Sequence, residues 1–272
     1  MLNLLKSLFY TTRKEKQFFV LLIIAGALLL LEILGAVVVN EAQLLAAEGD
    51  PVIEEYLREY GYLTNGRGLF LASLSTLSTF PIIVLIFSML IVTREFRNGA
   101  IRGKLLAGHS RTTVFFSLLV WCEIFVLLFI YAYAALILII GSIAFGYVPA
   151  ENEAQIVIST LAISLAQNMM CSAYVVFLGT WLRSTGKSVL AFIITFFALS
   201  LLSSVQVLGV LFPSFEGFFR VLDELNPISA INITASLEHT LESGLIAGLA
   251  PIVYTAGVVL IGCTVFKKKD LK

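Results

Sequence analysis

The sequence predicts an all-α integral membrane protein: six transmembrane helices, an N-terminal interfacial helix, a short basic helix on the cytoplasmic side, and short external helices before the last span. Three observations carry this. Of 272 residues, 59% are hydrophobic and 13% charged, against roughly 45 to 50% and 25% in soluble domains. Six apolar runs each reach the length of about 20 residues that about 30 Å of hydrocarbon demands at 1.5 Å per helical residue. The charged residues are sorted by loop, although the formal net charge is zero.

The runs span approximately residues 17–40, 69–93, 114–145, 155–182, 188–210 and 245–266. They lack the alternation of a barrel strand, and in lipid each backbone group must be satisfied within its own segment, so helices are expected. Lys6, Arg13, Lys14 and Lys16 precede the first run as in a secretory signal. That run is longer than the roughly 7 to 15 residues of a signal core, so a retained span is expected. Within residues 1–16, Leu2, Leu4, Leu5, Leu8 and Phe9 alternate at helical spacing with Asn3, Lys6, Ser7 and Arg13. This pattern fits a helix lying in the membrane interface; the plainer reading is the frayed start of the first span.

Lys and Arg favour cytoplasmic loops. The N-terminus, loop 94–112 (Arg94, Arg97, Arg102, Lys104, Arg111), the short loop (Arg183, Lys187) and the tail (Lys267, Lys268, Lys269, Lys272) hold 15 of the 18 basic residues. Arg58, Arg67 and Arg220 fall on the other side, with 13 of the 18 acids. Both termini are therefore expected in the cytoplasm of a multi-pass protein. Residues 211–244 are apolar but broken by Pro213, Gly217, Asn226 and Pro227, which predicts short external or re-entrant helices.

No residue set supports a catalytic or metal centre. Cys122, Cys171 and Cys263 lie singly in apolar runs, and His109 and His239 have no ligand-type neighbours, so no cofactor is expected in this chain. Trp181 to Ser188 ends in Gly-Lys-Ser like a phosphate loop, but Trp181 stands where the first glycine belongs and no strand precedes it. A tight turn at Gly186 and Lys187 between two spans is expected instead. Glu32 and Glu123 lie deep in the first and third spans, where a charge costs about 2.5 to 3.5 kcal/mol. Either contacts substrate, relays protons or bonds a neighbouring helix; Gln167 and Asn168 of the fourth span are plausible hydrogen-bond partners. Ser75 and Thr79, in the small polar stretch opening the second span, line a path or allow close packing, and packing is favoured.

The segment Arg94 to Arg111 offers two readings. Its five basic residues suit anchoring to anionic headgroups, at about 1 kcal/mol each. Alternatively Ile101, Leu105 and Leu106 recur at helical spacing amid Arg97, Arg102 and Lys104, as in a short helix that inserts into a groove on another protein.

The order of motifs resembles the permeases of the ABC-2 family of ATP-binding-cassette transporters. There an acidic residue and a glycine open a cytoplasmic helix between the second and third spans, followed by a Leu pair and an Arg; here these are Glu95, Gly99, Leu105, Leu106 and Arg111. Leu225 to Ser229, Leu-Asn-Pro-Ile-Ser, is similar to the family's Asn/Ser-Pro element before the last span. Two departures are visible: Gly108-His109 replaces a proline common between the Leu pair and the Arg, and Thr112 to Trp121 lacks a frequent lysine.

The resemblance implies a permease in the bacterial cell membrane, paired with a second permease as a homo- or heterodimer. Two cytoplasmic ATPase subunits would bind ATP and Mg. Residues 94–112 become the coupling helix, with Arg183 and Lys187 a second contact, and docking moves ahead of lipid anchoring. The expected function is export of an amphipathic substrate, with a leaning towards a peptide such as a toxin or antimicrobial. Nucleic acid is not an expected partner. The alternative from a different class is a stand-alone proton-coupled transporter or intramembrane enzyme using Glu32 and Glu123.

Overall fold

The computed structural model describes residues 1–47, 64–75, 78–149, 152–203, 215, 217–218, 226 and 241–268. Among the described residues the chain is all-helical with no strand, and six helices are long and apolar enough to cross a membrane. In chain order the helices are α1 (Leu2–Lys14), α2 (Lys16–Ala47), α3 (Gly66–Ser73), α4 (Thr79–Arg97), α5 (Ala100–Leu106), α6 (Arg111–Phe145), α7 (Glu153–Leu182), α8 (Thr185–Ser203) and α9 (Leu241–Lys268). The six long helices are α2, α4, α6, α7, α8 and α9. Most of the external segment expected at 211–244 lies outside the described residues, as do the first external loop over 48–63 and the tail from Lys269 on.

The central pillar is α6. Its 35 residues reach about 52 Å at 1.5 Å per residue, well beyond the hydrocarbon. The α1 helix buries Leu4, Leu8 and Thr12, one stripe at i, i+4, i+8, and sets Phe9 against Trp121 of α6 with ring centroids 6.5 Å apart. It stops at Glu15, whose backbone is extended. The α2 helix meets the bundle along a stripe through Leu21, Ala25, Leu28, Ala36 and Asn40, while Phe19, Ile23, Leu30, Leu34 and Val38 face outward.

The expected span over 69–93 is two helices with a break between them. Asn65 caps α3 by accepting from the Gly68 N–H at 2.8 Å, and Ser78 stands as the N-cap residue of α4. Pro81 falls in the first turn of α4, where its missing N–H has no intrahelical role. Ser164 of α7 donates to the Leu74 carbonyl at 2.8 Å, so a neighbouring helix satisfies backbone that the break releases. The run Ser73 to Ser78 looks continuous in hydropathy because Leu74 and Leu77 offset its serines. The cap signals Asn65 and Ser78 with Pro81 were the legible sign of the break.

Beyond the break, α3 lies against the far end of α6 at a crossing only glycine permits. A Cβ on Gly66 would meet the Ser142 backbone nitrogen at 2.5 Å, and one on Gly141 would meet the Gly66 Cα at 3.2 Å. The Gly66 N–H donates to the Gly146 carbonyl at 3.0 Å. Small residues play the same part on α7, which buries Ser159, Ser164, Ala166, Ser172, Ala173 and Gly179; a Cβ on Gly179 would lie 2.7 Å from Val92 of α4. Close approach through small residues is how apolar helices associate when lipid is as apolar as their own side chains.

Candidate functional site: the basic end of the bundle

Contacts gather the basic segments at one end. Arg94, in the last turn of α4, pairs with Glu15 just after α1. Thr93 shares a 2.8 Å hydrogen bond with Thr185 at the start of α8, and the Arg183 guanidinium lies 5.7 Å from the Phe96 ring centroid. Arg111 donates to the Lys267 carbonyl at 2.7 Å, which caps the end of α9 with a cation as the helix dipole favours. Phe96 and Phe115 both pack on Phe266, each at 6.0 Å between centroids. The segment 94–111 and the shorter Arg183 turn thus form one platform.

The platform is built around α5. Gly99, at φ +70, turns the chain out of α4 and stands as the N-cap residue of α5; Gly108, at φ +88, turns it towards α6. Lys104 and Glu95 form an ion pair with side chains only 12% and 13% exposed. This largely buried staple fixes α5 against the end of α4, so Glu95 and Lys104 are occupied in holding the platform together.

The apolar face expected from Ile101, Leu105 and Leu106 is divided. Ile101 is buried at 1% exposure and belongs to the core, Leu105 is half-buried against it, and Leu106 is 90% exposed. The cause is the register of a seven-residue helix: Ile101 and Leu105, at i and i+4, share the inward face, and Leu106 comes 100° round. Arg102, one turn before it on the same helix, is exposed too, as is Arg97 in the last turn of α4. Leu106 with a basic surround is the presented feature.

The turn expected at Gly186 and Lys187 sits three residues earlier, at Arg183 and Ser184. Arg183 ends α7 in the left-handed region at φ 53, Ser184 follows, and Gly186 and Lys187 fall in the first turn of α8. Lys187 is exposed.

Within the spans the two half-buried acids Glu32 and Glu123 are apart. Glu32 lies on the inward stripe of α2 beside the Tyr133 hydroxyl of α6. Glu123 faces Ser172 and Cys171 of α7, and its Oε2 is buried without a hydrogen bond. Tyr133 is ten residues beyond Glu123 on the same helix, about 15 Å along the axis, too far for paired carboxylates to share one reacting centre. Asn168 donates to the Ser164 carbonyl of its own helix at 2.8 Å, and Gln167 is buried at 1% exposure. Ser75 is buried at the helix break and Thr79, the first residue of α4, is exposed. Among the described residues no three His, Cys, Asp or Glu side chains cluster as metal ligands, and all three cysteines are free thiols.

The opposite end holds a polar cluster that sequence reasoning left unassigned. Arg67 of α3 pairs with Glu153 at 2.6 Å, their side chains 7% and 19% exposed, and the Tyr147 hydroxyl donates to the same carboxylate. Burial and the Glu153 carboxylate raise the Tyr147 pKa to about 12.

A family model matches residues 33–272, which is most of the chain. The protein belongs to the family described as protein of unknown function, DUF2705. No curated protein matches it, and no solved structure does. The match takes in every element of the platform after α1, so α5, the Arg183 turn and the end of α9 lie inside the DUF2705 region. The Leu225 to Ser229 element falls within it too; of its five residues only Asn226 is described, buried, with its amide donating to the Leu199 carbonyl of α8 at 2.9 Å.

Proposed function

We propose that this DUF2705 protein is the membrane-spanning permease subunit of an ATP-driven exporter, and that its basic end is the cytoplasmic face on which a separate ATPase docks. Both termini then lie in the cytoplasm of a bacterial cell, and α1 lies in the inner interface with Leu2 and Tyr10 towards lipid. The observation that carries the reading is Leu106. A leucine 90% exposed on a helix held by a largely buried ion pair and a buried isoleucine is a firmly presented apolar knob, the form in which a short helix offers an anchor to a groove on another protein. Such a knob transmits a push only if its base is stiff. Here Lys104–Glu95 and Arg94–Glu15 tie it to α4, and through α4 to α1.

ATP and Mg belong to the partner chain, and this chain is a transport subunit rather than an enzyme. A second permease, identical or different, completes the pathway, and the substrate class is amphipathic molecules, peptides among them. The acidic outer loops support that leaning by attracting a cationic substrate. Glu32 of α2 sits beside Tyr133, about 15 Å along α6 from Glu123, and the two are read as separate groups rather than one proton relay. The deciding experiment is transport into inside-out vesicles: uptake requiring ATP and a co-purifying soluble ATPase supports the proposal. Uptake driven by a pH gradient in the absence of ATP refutes it and leaves the proton-coupled alternative.

A further inference from the structure

We infer that the cleft between α7, α8 and α9 holds one acyl chain of a bilayer phospholipid. The cleft has a volume of about 240 Å³ and is lined by Cys171, Tyr174, Phe192, Thr195, Tyr254 and Val258 among others. Its depth identifies the occupant. Counted from Leu182, Thr185 and Lys268, the ends of the three helices on the basic face, the lining residues stand about 10 to 21 Å along at 1.5 Å per residue. In a hydrocarbon layer about 30 Å thick that is the midplane, reached by chain ends and not by headgroups.

The chemistry of the wall agrees. No lining side chain is charged, so an ion or headgroup would lose its hydration without compensation. The Tyr174 hydroxyl donates to Thr195 at 2.8 Å, so these two hydroxyls bond to each other. An apolar hole of about 150 Å³ already stays dry and takes up benzene, and walls that face no atoms forfeit their dispersion contacts. A flexible chain restores those contacts by following the wall. Access is sideways: Tyr254 is 44% exposed, and Ile194, Phe197 and Val253 beside the cleft are exposed apolar residues.

The test is photo-crosslinking of the full chain in nanodiscs of phosphatidylcholine carrying a diazirine near the acyl-chain end, with adducts mapped by peptide mass. Adducts on Cys171 or Val258, which line the cleft, are expected at the same yield when phosphatidylglycerol with the same chain replaces phosphatidylcholine. Adducts confined to Ile194, Phe197 and Val253 would show ordinary surrounding lipid and overturn the inference; so would a yield that follows the headgroup. Thr195→Phe narrows the cleft and should lower the Cys171 adduct at least fivefold with Val253 labelling unchanged; equal labelling at Cys171 overturns the inference. No ATPase is present in this experiment, so its outcome is independent of the transport reading.

Discussion

Replacing Leu106 with Asp separates docking from folding. In the isolated chain Leu106 is 90% exposed, so its loss should move the unfolding free energy by no more than about 0.5 kcal/mol. In a complex, a leucine that goes from this exposure to full burial contributes about 1.5 to 3 kcal/mol. A tenfold change in affinity is about 1.4 kcal/mol, so Leu106→Asp should weaken ATPase binding by roughly 10- to 150-fold, and desolvating the new carboxylate adds to this. The internal control is Ile101→Ala: at 1% exposure it should cost about 2 to 5 kcal/mol of stability through the cavity it leaves. The assay is a binding titration of the purified chain against its co-purifying ATPase, with thermal unfolding in the same detergent. A Leu106→Asp chain that binds with unchanged affinity would refute the docking argument.

Three further outcomes follow from the opposite end and from the glycine crossing. Gly66→Ala should lower the unfolding midpoint by an amount equivalent to about 1 to 3 kcal/mol, because its Cβ would meet Ser142 backbone at 2.5 Å; Gly26→Ala, with nothing within 4 Å, should not. Arg67→Ala removes the guanidinium from beside the largely buried Glu153 carboxylate, and should cost about 3 to 5 kcal/mol; a double-mutant cycle with Glu153→Gln should recover a clear coupling energy, and additive losses would contradict the pairing. Tyr147 has its folded pKa raised to about 12 from about 10 unfolded, so its bond to Glu153 is fully present below about pH 10 and lost as pH rises through 12. A difference absorbance titration of wild type against Tyr147→Phe should show the missing tyrosine ionising well above pH 10, and a midpoint at 10 would count against the bond.

The helix break shows what hydropathy misses. Spans are legible because a run of about 20 apolar residues is a local property. The break after Leu74 was not legible in hydropathy, since Leu74 and Leu77 keep the local average apolar, and only the cap signals Asn65 and Ser78 with Pro81 mark it. The deciding interaction, Ser164 Oγ to the Leu74 carbonyl, joins residues 90 positions apart. The α5 helix was legible as a segment but not as a surface, because its short pattern of three apolar residues does not say which face the core takes.

By itself the sequence determined the membrane class, the six apolar spans, the sorting of charge between alternate loops and the place of the basic segment along the chain, all consequences of composition within continuous stretches of chain. Tertiary structure alone decided that Ile101 turns inward and Leu106 outward, that Lys104 is held by Glu95, and that Glu32 and Glu123 meet different neighbours. The physical reason lies in the spans themselves: an apolar helix looks alike to lipid and to protein, so its inward face is chosen by distant small residues and polar partners.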